Sequence, residues 1–191
     1  SLAALPGVRQ VEADQSFFVT TDVGPGLIGA PGIWDGTNTG GLPGTYGEGV
    51  IVGILDTGIN MDHPSFADVG FDGYNHTNPL GSGTYVGWCN PAHPDYDPAL
   101  VCNDKLIGVY DYVDTFGNES DGPEDGDGHG SHTASTTAGN FTEFVYDSGV
   151  NLITKTISGV APHANIIAYD VCEANSCPTS SVIAGINQAI L

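Results

Sequence analysis

The chain has 191 residues, 40% of them hydrophobic and only 14% charged, enough to close one sizeable core with about two thirds of its surface buried. Three Lys and Arg stand against 23 Asp and Glu, and the net charge of −20 repels phosphate backbones and excludes nucleic acid as a partner. The longest apolar stretches, 49–55 and 160–168, are far too short for a bilayer, so no transmembrane helix is expected.

Residues 1–6 lack the basic flank and long apolar run of a signal peptide. Val50-Ile51-Val52-Gly53-Ile54-Leu55 is a continuous β-branched run ending at Asp56. It reads as a strand buried on both faces of a parallel sheet, with an acid at its C-terminal end. From 60 to 104 the chain is dominated by Gly, Pro, Asn, Asp and Tyr, which predicts long surface loops carrying a hairpin or two. A second strand is predicted over 105–112, followed by an acidic loop over 114–127. Ala134, Thr137 and Ala138 then recur at helical spacing, predicting a small-residue helix over 129–138 built for close packing. A third apolar strand is predicted over 165–171. The last element, 180–191, reads as a helix with hydroxyls at Ser180 and Ser181 placed to cap it.

No repeat of 20 to 50 residues is visible. Strands alternating with helices predict an α/β fold with a mainly parallel sheet and helices on both faces. In such a sheet each helix returns the chain to another strand, so the fold reads as cut short after its N-terminal half. Self-association, or a second chain supplying strands, is then expected to cover Ile183, Ile186 and Ile190.

Cys89, Cys102, Cys172 and Cys177 are even in number and form two close pairs without the C-x-x-C spacing of a zinc site. Disulfides in an oxidising, extracellular setting are the working reading, with four reduced thiols as the alternative. A bridge spanning 89–102 would tether a Pro- and Asp-rich loop and contribute about 3 kcal/mol.

The sharpest chemical signal is Asp127-Gly128-His129-Gly130-Ser131-His132-Thr133-Ala134-Ser135. Glycines on both sides of His129 permit close approach to its imidazole, and a helix starting near Ser131 holds its backbone. A neutral imidazole needs a partner on one nitrogen to fix its tautomer, and Asp56, 73 positions earlier at a strand C-terminus, is the natural candidate.

Asp56-Thr57-Gly58, Gly128-His129-Gly130-Ser131-His132-Thr133-Ala134-Ser135 and Gly159-Val160-Ala161-Pro162-His163-Ala164, in this order and spacing, resemble the subtilisin-like serine proteases. With Thr136 and with Tyr169-Asp170-Val171-Cys172, the similarity is greatest to the plant-type, cucumisin-like subgroup, over about residues 20 to 191. The resemblance implies a secreted endopeptidase acting on polypeptides, with Asp56 and His129 as two members of an Asp, His, Ser triad. It also implies the disulfide pairs Cys89 with Cys102 and Cys172 with Cys177. His132 is placed by it as a neighbour packing the His129 turn. Leu5-Pro6-Gly7-Val8-Arg9-Gln10-Val11-Glu12 resembles the closing segment of the inhibitory propeptide, which divides the chain into a propeptide end over 1–19 and the start of the peptidase over 20–191. An ordinary N-terminal strand is the other reading of that segment.

The chain departs from the family in two respects that decide its chemistry. No Gly-Thr-Ser-x-Ala motif occurs, since Gly36-Thr37, Gly44-Thr45 and Gly83-Thr84 are followed by Asn38, Tyr46 and Tyr85. Asn165 and Asn187 are not in the context of the family's oxyanion-hole asparagine. A base without a nucleophile predicts that these 191 residues do not cleave peptides by themselves. The rival expectation is a non-catalytic module that uses the cleft only to hold peptides. No cofactor is expected. Glu119, Asp121, Glu124, Asp125 and Asp127 are dense enough for calcium, but a solvated loop is the default without EF-hand spacing; His129 and His132 with Asp127 or Asp125 lack the i, i+4 spacing of zinc helices, and a structural role is expected for His132. His63, His76, His93 and His163 show no partner in the sequence. Asn75, Asn118 and Asn140 open glycosylation sequons, relevant in a eukaryotic secretory source.

Overall fold

The computed structural model describes residues 23–113, 122–147, 151–173 and 176–191. The propeptide-like segment and most of the acidic loop, including Asn118, Glu119 and Asp121, lie outside them. Four parallel strands form the sheet: β1 (Ile51–Asp56), β2 (Val86–Gly87), β3 (Leu106–Asp111) and β6 (Asn165–Asp170), in the order β1-β6-β3-β2. All six residues of β3 are buried, and five of six in β6, which is why these segments read as unbroken apolar runs. The first strand departs from the sequence expectation. β1 pairs only with β6 among the described strands, and Ile51 at its start is exposed, because an edge strand has one flank without a neighbour.

Helices lie on both faces. Helix α3 (His129–Ala138) puts Ala134 and Ala138 into a cluster with Ile54, Leu106, Val109, Ile166 and Ala168. Helix α4 (Thr179–Ile190) faces the opposite side, where Val182 packs with Leu55, Ile167, Tyr169 and Val171. The period-two alternation of β1 and β6 thus sends Ile54 to one helix and Leu55 to the other. Ser180 and Ser181 do not cap α4 as expected. Pro178 occupies the N-cap, and the buried Ser181 instead donates its hydroxyl to the Tyr112 carbonyl at 3.0 Å. Ile183, Ile186 and Ile190 are exposed on its outer side.

Two short helices, α1 (Gly24–Leu27) and α2 (Ala30–Trp34), occupy a Gly- and Pro-rich stretch that gives no helical period; each carries its proline in the first turn, where no amide partner is needed. An antiparallel ribbon of β4 (Thr142–Asp147) and β5 (Leu152–Ile157) is also unheralded. Phe144, Val145 and Leu152 are exposed on it, so no buried face imposes alternation on its sequence. The loops over 60–104 contain a turn of 3₁₀ helix at Pro64–Phe66 and an antiparallel bridge between Val69 and Asn75.

The cysteines form two disulfides, Cys89–Cys102 and Cys172–Cys177. Lys105, one of only three strong cations, is fully buried and donates to the carbonyls of Pro162 and Ala164 at 2.8 and 2.6 Å. Burial pushes its ammonium down to about 7. Among the described residues no helix is long and apolar enough to cross a membrane.

Candidate active site

Three parallel strands end on aspartates in register, Asp56 beside Asp170 and Asp170 beside Asp111. Asp111 accepts from the Val113 amide at 2.7 Å and Asp170 from the Cys172 amide at 3.3 Å, so each helps close the turn after its strand. Asp56 does this too, accepting from the Thr57 amide at 2.9 Å, but the same Oδ1 also receives a second donor. That donor is Nδ1 of His129, 2.7 Å away. The Asp56 side chain is 13% exposed and the His129 ring 69% exposed. The hydrogen bond to Asp56 and its negative charge hold the His129 imidazole above the ordinary histidine value, with Asp127 and Asp125 adding to the effect.

This approach is a backbone achievement. A Cβ on Gly130 would come within 2.3 Å of the Gly58 carbonyl, and Gly58 itself has φ +91°. Only glycine at both places lets the start of α3 rest directly on the turn after β1. The helix runs over His129–Ala138, the span its small-residue recurrence predicts, because Gly128 in the left-handed region turns the chain into it.

Two side chains that sequence reasoning left out of the site join these segments. Thr57 Oγ1 donates to Asp125 Oδ1 and accepts from the Gly130 amide, both at 2.9 Å. Asp125 also accepts from the amides of Gly128 at 2.7 Å and Ser131 at 2.6 Å. Burial raises the Asp125 carboxyl, but the donors from Ser131, Gly128 and Thr57 outweigh it and hold the group below its usual value. Asp125 is therefore occupied by protein donors, while Glu124 and Asp127 are exposed. Among the described residues no group of three or more His, Cys, Asp or Glu is arranged to hold a metal ion. His132, three residues after His129 in α3, is exposed.

His163 and His76 have partners that linear distance concealed. His163 places Nδ1 at 2.8 Å from Glu48 and Nε2 at 2.9 Å from Asp72, with its ring stacked 3.7 Å from that of Tyr74. His76 is buried with Nε2 at 2.7 Å from the side-chain oxygen of Asn140. Asn140 also donates to the Ala67 carbonyl, so this sequon is buried and engaged, whereas Asn75 is exposed. His63 and His93 accept from the amides of Ser65 and Asp95, closing their own turns.

A parallel sheet covered by helices, with an aspartate at one strand end bound to a histidine at the start of a packed helix, defines an α/β domain that carries an Asp–His pair at the C-terminal ends of its strands. The sequence profile of the Subtilase family of peptidases matches residues 47–190, and the chain belongs to that family. It is similar to the subtilisin-like protease SBT1.4 of Arabidopsis thaliana, 36% identical over 203 residues that cover 97% of this chain and 23% of that protein. The subtilisin-like proteases SBT1.7 and SBT2.2 of the same plant are 34% and 35% identical, covering 100% and 95% of this chain and 24% and 21% of their own lengths. These relatives make it a plant-type subtilase. The chain spans about a quarter of the length of the curated relatives it matches.

Proposed function

We propose that the chain supplies two catalytic members of a serine endopeptidase, Asp56 as the orienting carboxylate and His129 as the general base, with the nucleophilic serine outside these 191 residues. The 2.7 Å bond between His129 Nδ1 and Asp56 Oδ1 carries this reading. An imidazole donating from Nδ1 keeps its lone pair on Nε2 and can take a hydroxyl proton there. The serine oxygen then bonds to the peptide carbonyl carbon, and the proton passes from His129 to the leaving amine as the C–N bond breaks. Water repeats the sequence on the acyl-enzyme, returning the serine and releasing the carboxylate product. Asp56 stabilises the imidazolium formed at each attack.

Polypeptides are the substrates on this reading, and the two disulfides support an extracellular location. The match of Leu5 to Glu12 to a propeptide end supports dividing the chain into 1–19 and 20–191. The exposed row of Ile183, Ile186 and Ile190 supports a further part of the peptidase, or a second copy, lying against α4.

The test is a serine-directed fluorophosphonate applied to the full protein, with and without His129→Ala. Labelling of a serine outside this chain, with peptide hydrolysis lost in the variant, is the expected result. Peptide binding without labelling or hydrolysis would overturn it in favour of a non-catalytic binding module.

A further inference from the structure

We propose that Asp125, acting through the Thr57 hydroxyl, is a positioning residue that sets where His129 stands relative to Asp56. The inference rests on the reading of Asp56 and His129 given above and extends it to a carboxylate with no hydrogen bond to either side chain.

Helix α3 starts after Gly128, which has no side chain to cap it, so its first amides need acceptors from elsewhere. They find them on two segments. Asp125, from the loop ahead of the helix, takes the amides of Gly128 and Ser131. Thr57, from the turn after β1, takes the amide of Gly130. His129 stands between these anchored positions. The two acceptors are joined, since the Thr57 hydroxyl proton points to Asp125 Oδ1.

The direction of that bond is what gives Asp125 its role. A hydroxyl has one proton, and spending it on the Asp125 carboxylate aims an oxygen lone pair at the Gly130 amide. Thr57 is covalently next to Asp56, and Gly130 is covalently next to His129. One carboxylate thereby fixes a rigid path from Asp56 through Thr57 and Gly130 to His129, independent of the Asp56–His129 hydrogen bond. Asp125 is 6% exposed, so water does not compete for these bonds. Further ties make the seam continuous: the Ile59 amide donates to the Pro123 carbonyl and the Asn60 amide to the Ser131 hydroxyl, both at 2.9 Å.

A capping role alone would change stability without changing the His129 ring. The experiment therefore reads the ring directly, by NMR of the full protein labelled with ¹⁵N-histidine, in Thr57→Val, Thr57→Ser, Asp125→Asn and the Thr57→Val, Asp125→Asn double variant. Thr57→Val is expected to broaden or remove the downfield Nδ1 proton signal of His129 and to lower its titration midpoint, although no charge is changed. Thr57→Ser, which keeps the hydroxyl, is expected to retain both. Because the two residues act in one chain of bonds, the double variant is expected to shift the midpoint no further than Asp125→Asn alone. A Thr57→Val protein with the parent signal and midpoint, or shifts that add in the double variant, would overturn the proposal. Should Asp125→Asn not fold, the Val and Ser variants at 57 decide it between them. In the same proteins kcat for a peptide is expected to fall about 10²-fold in Thr57→Val with KM unchanged. A parent protein without peptidase activity would refute the endopeptidase reading, while the NMR comparison still decides the role of Asp125.

Discussion

Asp56 and His129, 73 residues apart, meet through a single 2.7 Å hydrogen bond at the C-terminal end of β1, with the carboxylate sheltered and the imidazole open to solvent. In the full protein Asp56→Asn is expected to lower kcat by about 10⁴-fold, because an amide no longer holds the tautomer with its lone pair on Nε2. Steady-state hydrolysis of a peptide checks this, and a loss under tenfold would contradict the assigned role.

The contact between α3 and the β1 turn depends on Gly130, whose added Cβ would sit 2.3 Å from the Gly58 carbonyl oxygen. Backbone cannot yield as a flexible side chain can. Gly130→Ala is expected to destabilise the fold by about 1–3 kcal/mol and to reduce activity by moving His129. Urea unfolding of the variant measures the first effect, and an unchanged midpoint would show that the turn accommodates a methyl group.

The Cys89–Cys102 bridge closes a 13-residue span of Pro- and Asp-rich loop that has little apolar sequence of its own. Replacing both cysteines with Ala is expected to cost about 3 kcal/mol, chiefly through added freedom of the unfolded chain. The unfolding free energy of the double variant, compared with the parent under oxidising conditions, tests the figure.

His76 is 2% exposed, and burial, with the nearby Lys105 charge, pushes its imidazole down to about 4. The unfolded chain therefore takes up a proton near 6.5 that the native state resists until about 4. Stability contributed by the neutral ring is fully present above 6.5 and falls as pH drops toward 4, by up to about 3 kcal/mol. Thermal melts across this range should show the decline, and His76→Gln should flatten it.

A second acid-sensitive tie joins Glu48 to His163. Burial raises the Glu48 carboxyl, but the His163, Thr45 and Tyr46 donors outweigh it and bring it to about 2. Its contribution is present above the ordinary value of 4.5 and is lost as pH falls through that range toward 2. Glu48→Gln is expected to lower stability at neutral pH and to narrow its difference from the parent as the solution becomes acidic. An equal difference at pH 7 and pH 2.5 would exclude the link.

Local pattern alone was enough to locate β1, β3, β6, α3 and α4, because the strands are short apolar runs rich in β-branched or aromatic residues and the helices show apolar or small residues at helical recurrence. It also marked Asp56 as an acid at a strand end and His129 as a histidine between glycines, since motif and turn chemistry are written in neighbouring residues. Tertiary structure alone decided which groups meet. That the carboxylate of Asp125 is consumed by Thr57, Gly128 and Ser131, that His163 bridges Glu48 and Asp72 across 115 and 91 positions, and that Lys105 is buried on the carbonyls of Pro162 and Ala164 all depend on segments distant in the chain. The same holds for the exposed start of β1, where a run of β-branched residues lies at a sheet edge. Strand propensity is local, whereas burial, hydrogen-bond partners and proton affinity are set by what the fold brings within a few ångströms.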